Sequence, residues 1–430
     1  MFVSVDKNKT IRAISKTLIS SADTVVVETP QFDSIDPRTI IGKKALFGPA
    51  KPVSEWKIAM ICNWGDHCGI ATYSQALVND LRNKVKEVKI FSERNVETSD
   101  DVVRCWSRGE SMMPALQEVL QWQPDFIHIQ HEFGIFPKAT HFLKMLEILS
   151  DIPYAITFHS VYQHFDKTIC TAYVKNAIVH SEKAKEVLAE MGHRNSVYVV
   201  PHGCLNYESI TELWNIFQND YSIVQFGFGF GYKGVDIALE AVRILKQNDP
   251  KFKDIFYCYM CSENPHTRSV HDEYYSYLKG KVTAAGLENN VVILRGFVSD
   301  DIIRNYLRTA KLAIFPYKTD PNNCVYGASG AVRHAMANGV PVIASDSHLF
   351  DDLDGVLPRA SSVESLAQEI DKVFSNETYR KSLIAANLQF MKDNNWDITA
   401  DRHISIYESI AKEMEDNSIR ITDYRLLDTP

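Results

Sequence analysis

The sequence predicts an α/β protein built as two doubly wound parallel sheets in tandem, facing a central cleft. Three observations lead there. Short apolar runs of β type alternate with stretches of helical periodicity between residues 57 and 344, the order that gives strand–helix–strand units and a parallel sheet covered on both faces. The alternation stops after residue 200, passes through a connector (204–220) and starts afresh at 222. Glycine-containing turns follow the first strand of each series, at 65–73 and 226–234, where a doubly wound sheet opens its ligand crevice.

The 430 residues suffice for two or three domains with sizeable cores, and the 45% hydrophobic, 23% charged composition is that of an ordinary globular chain. A net charge of −8 gives no bulk attraction to nucleic acid or anionic lipid, although it is compatible with a local basic groove. The opening MFVSVDKNKTIRAISK lacks the apolar core of a secretory signal, and no apolar run is long enough to span a bilayer, so a cytoplasmic location is expected. The eight cysteines are scattered, several inside apolar runs, and read as reduced core thiols. Cys258 and Cys261 form a lone C-x-x-C in a strand-like run with no second pair nearby, which favours packing over zinc or redox use.

Taken in order, residues 1–55 hold a helix-like stretch (10–19), a strand-like VVVE (25–28) and a loop rich in Pro and Gly, an extension of unassigned role. The first unit, 56–208, reads as strand 57–62, glycine loop, helix 71–81, strand 85–91, helix 114–121, strand 126–130, helix 141–149, strands 154–159 and 177–180, helix 182–191 and strand 197–200. The second, 209–395, reads as strand 222–226, helix 235–246, strand 255–261, helix 269–285, strand 291–294, helix 302–309, strand 312–315, a helix before Gly339, strand 342–344 and two further helices (362–374, 377–393). The remainder, 396–430, holds a last helix (401–414) and a polar, peripheral tail.

Chemistry concentrates where strands end. Tyr326-Gly327-Ala328-Ser329-Gly330 precedes a helix whose Val332, Ala335 and Met336 share a buried face. Small residues let a ligand approach the backbone, and the first-turn N–H groups of Ser329, Gly330 and Ala331 then face it with the positive end of the helix dipole, an anion site most simply for phosphate. The same run also suits an ordinary turn with Ser329 as N-cap. Gly69 opens a helix in a loop that reads as a phosphate cradle or as a tight turn. His131 and Glu132 end a buried strand, either as an acid/base or hydrogen-bonding pair or as a structural network under a loop. His159 sits at the carboxyl end of the next strand, in the expected cleft. In 226–234, alternating glycines and aromatics surround Gly231 and Lys233, suited to close backbone approach or to a flexible turn over an apolar bed. No Asp-x-Asp metal motif is embedded, and Asp300-Asp301 and Asp351-Asp352 read as helix starts.

The run from His334 to Ser345, with its preceding loop, resembles the donor-site signature of family 4 glycosyltransferases of the GT-B fold: Glu, seven residues, Glu-Ala-Met-Ala-x-Gly-x-Pro-Val-Ile-Ala-Ser. Tyr326 and His334 stand where the two glutamates are usual. Residues 68–73 are similar to the family's Gly-Gly-Ile-Ala-x-Tyr loop, with Cys68 for the first glycine; 130–134 resemble the Gln-His-Glu-Phe-Gly of one branch; and 157–159 resemble its Thr-x-His, whose histidine lies beside the reacting centre. His202 and Gly203 occupy the place of an Ile-Pro-Asn-Gly turn, read as interdomain scaffold, and 294–300 resemble the loop flanking the nucleotide base. Of the basic pair that usually grips the donor diphosphate, Lys233 matches while Phe228 holds the arginine position, so Arg333 or Arg295 is expected to supply the other charge.

The resemblance covers about 56–415 and implies two Rossmann-like domains, acceptor first and donor second, with the last helix crossing back. It implies transfer of a sugar from a nucleotide sugar to a hydroxyl acceptor, with retention and without a metal or other cofactor. The expected acceptor is a glycan or a small molecule, the alternative being a hydroxymethylated base in DNA, as for some virus-encoded glycosyltransferases. Carried over residue by residue, it makes His159, Lys233, His131 and Glu132 the catalytic candidates. Gly69, Gly231, Lys233, Arg295, Tyr326, Ser329, Gly330, Ala331, Arg333 and His334 become the donor-binding ones. Lys233 is expected on the cleft surface with little core packing. The loss of both glutamates keeps open a non-catalytic nucleotide or sugar binder of the same fold, and Tyr326 and His334, which can still hydrogen-bond, imply an unusual donor choice.

Overall fold

The protein is seen in a computed structural model that describes residues 51–65, 68–94, 99–162, 172–205, 217, 219–263, 268–296, 298–322 and 324–427. The helix-like 10–19 and strand-like 25–28, most of the 204–220 connector, and Asp66, His67 and Phe297 lie outside them.

The first half runs β1 (Lys57–Ile61), α1 (Gly69–Leu81), β2 (Glu87–Glu93), β3 (Val102–Trp106), α2 (Met113–Trp122), β4 (Phe126–His131), α3 (Ala139–Ile148), β5 (Tyr154–Phe158), β6 (Ser160–Tyr162), β7 (Asn176–Val179), α4 (Glu182–Glu190) and β8 (Ser196–Val199). The second runs β9 (Ser222–Phe228), α5 (Val235–Asn248), β10 (Phe256–Ser262), α6 (Arg268–Ala284), β11 (Val291–Arg295), α7 (Asp300–Thr309), β12 (Leu312–Phe315), β13 (Val325–Gly327), α8 (Gly330–Ala337), β14 (Val342–Ser345), β15 (Arg359–Ala360), α9 (Val363–Ser375), α10 (Glu377–Asp393) and α11 (Trp396–Leu427).

Among the described residues the strands form a seven-stranded sheet ordered β3-β2-β1-β4-β5-β7-β8, a six-stranded sheet ordered β11-β10-β9-β12-β14-β15, and a two-stranded ladder, β13-β6. Both large sheets are parallel throughout. In each, the first strand sits inside the sheet and the order reverses beside it, so the switch points lie at β1/β4 and β9/β12, and the loops after these strands line the crevice. Strands β4, β5, β7 and β12 are buried at every residue, as covered parallel strands must be. This is the doubly wound α/β architecture the alternation predicts.

Two local features differ from the sequence reading. The short strands β3, β6 and β13 carry too little periodicity to announce themselves, and β6 and β13 are strands only because they pair with each other from far apart in the chain, Tyr326 opposite Val161. The last helix reaches beyond the expected 401–414, since α11 runs unbroken from Trp396 to Leu427.

Helix α11 returns to the first sheet. Tyr407 stacks on Phe126 with ring centroids 4.3 Å apart and Trp396 meets Tyr73 edge-on at 4.9 Å, closing a core of Ile58, Met60, Leu77 and Ile404. Gly203 leaves room for this, because a Cβ there would lie 2.4 Å from the Trp396 ring. Among the described residues no helix is long and apolar enough to cross a membrane.

Candidate active site

The site begins at the 3₁₀ turn Gly231–Lys233 between β9 and α5. Gly234 ends that turn at φ +66°, and a Cβ on it would lie 1.7 Å from the Pro316 carbonyl oxygen. Only glycine fits, so the turn lies flush against the segment leaving β12. The buried Gln225 amide donates to the Lys233 carbonyl (2.8 Å) and accepts from the Tyr257 hydroxyl (2.6 Å), while Lys318 N–H donates to the Tyr232 carbonyl at 2.7 Å.

The Lys233 side chain is therefore delivered inward. Its ammonium donates to the Tyr317 hydroxyl at 2.7 Å and lies 4.0 Å from the centre of that ring and 4.9 Å from that of Tyr232. Lys233 is 8% exposed, which corrects the expectation of a lysine lying on the cleft surface. Among the described residues no carboxylate pairs with it, an unusual condition for a buried ammonium.

Helix α8 starts beside it. Ser329 is its N-cap by backbone position, but its side chain makes no capping bond; the hydroxyl lies 3.3 Å from the Tyr317 hydroxyl. The first-turn N–H groups are thus without a side-chain cap, and the positive end of α8 sits one phenol away from the Lys233 ammonium. Two positive features converge, and Ser329, Gly330 and Ala331 lie where the small-residue loop places them.

The two arginines expected to assist are already engaged. Arg295 pairs with Glu263 and Asp272. Arg333 is 2% exposed and points into the domain junction, paired with Asp352 and donating to the carbonyls of His202 (3.1 Å) and Ser329 (3.0 Å). Neither offers a spare charge, and Asp352 is a buried ion-pair partner instead of a helix start.

Tyr326, 5% exposed, is held in the β13–β6 ladder with its ring 4.4 Å from that of His348. His334 turns its ring edge-on to Phe226 at 5.6 Å, and its Nε2 is buried without a partner. Burial lowers the His334 pKa, with Asp300 opposing and Arg304 assisting. Gly231 lies on the turn with Lys233, whereas Gly69, at the start of α1, has open space where a Cβ would be.

On the first-sheet side, His131 and Glu132 do not form the expected pair. The His131 ring is caged by Phe133, Phe136, Phe142 and Phe158 at 4.7–5.5 Å, its Nδ1 has no partner, and burial pushes its pKa down to about 3. Burial raises the Glu132 carboxyl, against hydrogen bonds from the Ser160 side chain and the Phe133 backbone. The aromatic cluster claims one side chain and the β6 segment the other.

His159 lies in a chain of imidazoles that sequence alone did not link. His180 Nδ1 donates to the Val200 carbonyl (3.0 Å), its Nε2 lies 3.4 Å from His159 Nδ1, and His159 Nε2 donates to the Gln130 amide oxygen (2.9 Å). Beneath them His128 bridges Thr157 (2.8 Å) and Tyr407 (2.6 Å), and Tyr73 meets His159 and His202 edge-on at 4.7 and 4.9 Å. Burial holds all four of these histidines well below the usual imidazole range, His180 at about 4.

The halves meet closely. A Cβ on Gly327 would lie 2.5 Å from the His159 carbonyl oxygen and one on Gly330 3.4 Å from His202 Nε2. His159 and His202 thus border the start of α8, while His131, Arg295 and His334 are turned to other surroundings.

This geometry defines a class: two doubly wound domains with a cationic, uncapped helix start in the cleft between them. Comparison with known proteins agrees. Residues 68–204 match the model of Glycosyltransferase Family 4 and residues 223–376 that of Glycosyl transferases group 1. The amylovoran biosynthesis glycosyltransferase AmsK of Erwinia amylovora is 30% identical over 114 residues, 26% of this chain and only 25% of that protein. Among solved structures, a glycosyltransferase from Rickettsia africae superposes with TM-score 0.64 at 14% identity, covering 83% of this chain and 99% of its own. HepE of Anabaena, solved with UDP and glucose, superposes with TM-score 0.60 at 14% identity, covering 83% and 100%. The chain has the GT-B fold, and each of its halves matches a glycosyltransferase family model.

Proposed function

We propose that the protein transfers a glycosyl group from a nucleoside-diphosphate sugar to a hydroxyl acceptor, the diphosphate being held by Lys233 and the start of α8. The observation that carries this is the buried Lys233 ammonium, without a carboxylate partner among the described residues and joined through Tyr317 to Ser329, whose side chain does not cap α8. A diphosphate there completes both the lysine and the orphan N–H groups. The complexes of HepE with UDP, glucose and UDP-glucose support the same donor chemistry.

In the transfer, the bond from the anomeric carbon to the diphosphate oxygen breaks, the acceptor oxygen bonds to that carbon, and the acceptor proton leaves with the diphosphate. Charge gathers on the departing oxygens, where Lys233 and the N–H groups of α8 stabilise it without a metal. Departure and attack on one face retain anomeric configuration, and His159 borders that face from the first domain.

The test is a thermal-shift panel of UDP, GDP, ADP, TDP and CMP on wild type and on Lys233→Met, which preserves the buried stem. A shift with one diphosphate, lost in the variant with folding intact, is expected. No shift with any nucleotide overturns the donor site. Because Tyr326 and His334 are committed to packing, a non-catalytic binder is the second reading, selected by nucleotide binding with no turnover of any nucleotide sugar.

A further inference from the structure

We propose that Tyr317 is a positioning residue, its hydroxyl fixing the Lys233 ammonium and turning the Ser329 hydroxyl outward as a further donor to the diphosphate; this rests on the reading above. No motif marks Tyr317 in the sequence. It emerges from two distances, 2.7 Å from its hydroxyl to Lys233 Nζ and 3.3 Å to Ser329 Oγ.

The direction of this relay follows from the groups. An ammonium has only protons to give, so the phenol oxygen accepts from Lys233. Burial pushes the Tyr317 phenol well above its usual range, and it keeps its own proton beside the cation. Among the described residues the acceptor within reach of that proton is Ser329 Oγ. Ser329 then accepts from Tyr317 and makes no cap within its own helix, which leaves its proton to an anion at the start of α8. The phenol is itself anchored: the ring is 2% exposed and 5.0 Å from that of Phe350, and its carbonyl accepts from Ser345 Oγ at 2.6 Å. A flexible lysine stem is thereby held in one place before the donor arrives, which spares the ordering entropy at binding.

The experiment measures affinity for the nucleoside diphosphate that stabilises wild type and, separately, for its parent nucleoside, in wild type, Tyr317→Phe, Ser329→Ala and the double variant. Phenylalanine keeps the ring packing and the face toward Lys233 and removes only the hydroxyl. Diphosphate affinity is expected to fall about tenfold or more in Tyr317→Phe while nucleoside affinity holds. Ser329→Ala is expected to weaken the diphosphate in the wild-type background and to add little in the Tyr317→Phe background, the coupling expected of one relay. A merely structural tyrosine would lower both affinities together. Wild-type diphosphate affinity in Tyr317→Phe, or fully additive effects of the two substitutions, overturns the relay while leaving the donor site standing. A wild type that binds no diphosphate overturns both.

Discussion

Replacing Arg333 by Met removes the cation from a pair that is almost wholly enclosed, with side chains 2% and 3% exposed. Breaking such a pair costs on the order of 3–5 kcal/mol because the remaining charge is left buried. Asp352, however, has a way out. Burial raises its carboxyl to about 6 even beside the guanidinium. Without Arg333 it rises further, and below that value Asp352 folds neutral. The sign follows: a carboxyl whose folded pKa exceeds the usual 3.8 favours folding at low pH and loses that contribution as pH rises through the folded value. The penalty in Arg333→Met should therefore be small at pH 5.5 and grow with pH, by up to about 1.4 kcal/mol per unit, toward the full cost at pH 8. Arg333 also depresses the pKa of His180 and His202, so its loss eases their protonation in the same direction. Asp352→Asn strands the arginine, which cannot shed its proton, and should cost its full penalty at both pH values. Urea midpoints read by tryptophan fluorescence for the three proteins at both pH values decide it. An Arg333→Met penalty that is the same at both pH values would refute the reasoning.

Three further outcomes follow. His131, His180 and His403 have pKa values pushed down to about 3, 4 and 4, and His128, His159 and His202 lie well below 6.5. Their contribution to stability is complete above pH 6.5 and is lost as pH falls from 6.5 toward 4, each group removing up to about 1.4 kcal/mol per unit, so the melting temperature should drop steeply across that window; a flat profile contradicts the buried network. Gly234→Ala places a Cβ 1.7 Å from Pro316 O at a left-handed φ, and should lose roughly 2 kcal/mol or more together with diphosphate binding, whereas retained binding contradicts the clamped turn. Gly327→Ala drives a methyl toward the His159 carbonyl and should open the β6–β13 ladder, read as faster amide exchange at 160–162 and 325–327 with the large sheets unchanged.

Some of this was legible in the chain itself. Strand–helix alternation, the restart at 222 and the small-residue turn before α8 are local patterns, carried by side-chain periodicity and backbone permissiveness over a few residues, and they announced the doubly wound sheets and the neighbourhood of Lys233 and Ser329. Motif wording could not say where side chains end up. Arg333 and Arg295 have the right charge for a diphosphate, yet Asp352, Glu263 and Asp272 claim them. His131 and Glu132 are adjacent in sequence, but one is enclosed by phenylalanines and the other held by β6. Tyr317 and His180 carried no signal because their importance lies in partners 12 to 84 residues away. Local pattern determined which elements form and where the cleft opens; only the packing of distant segments decided which cation there is left, among the described residues, without a counter-charge.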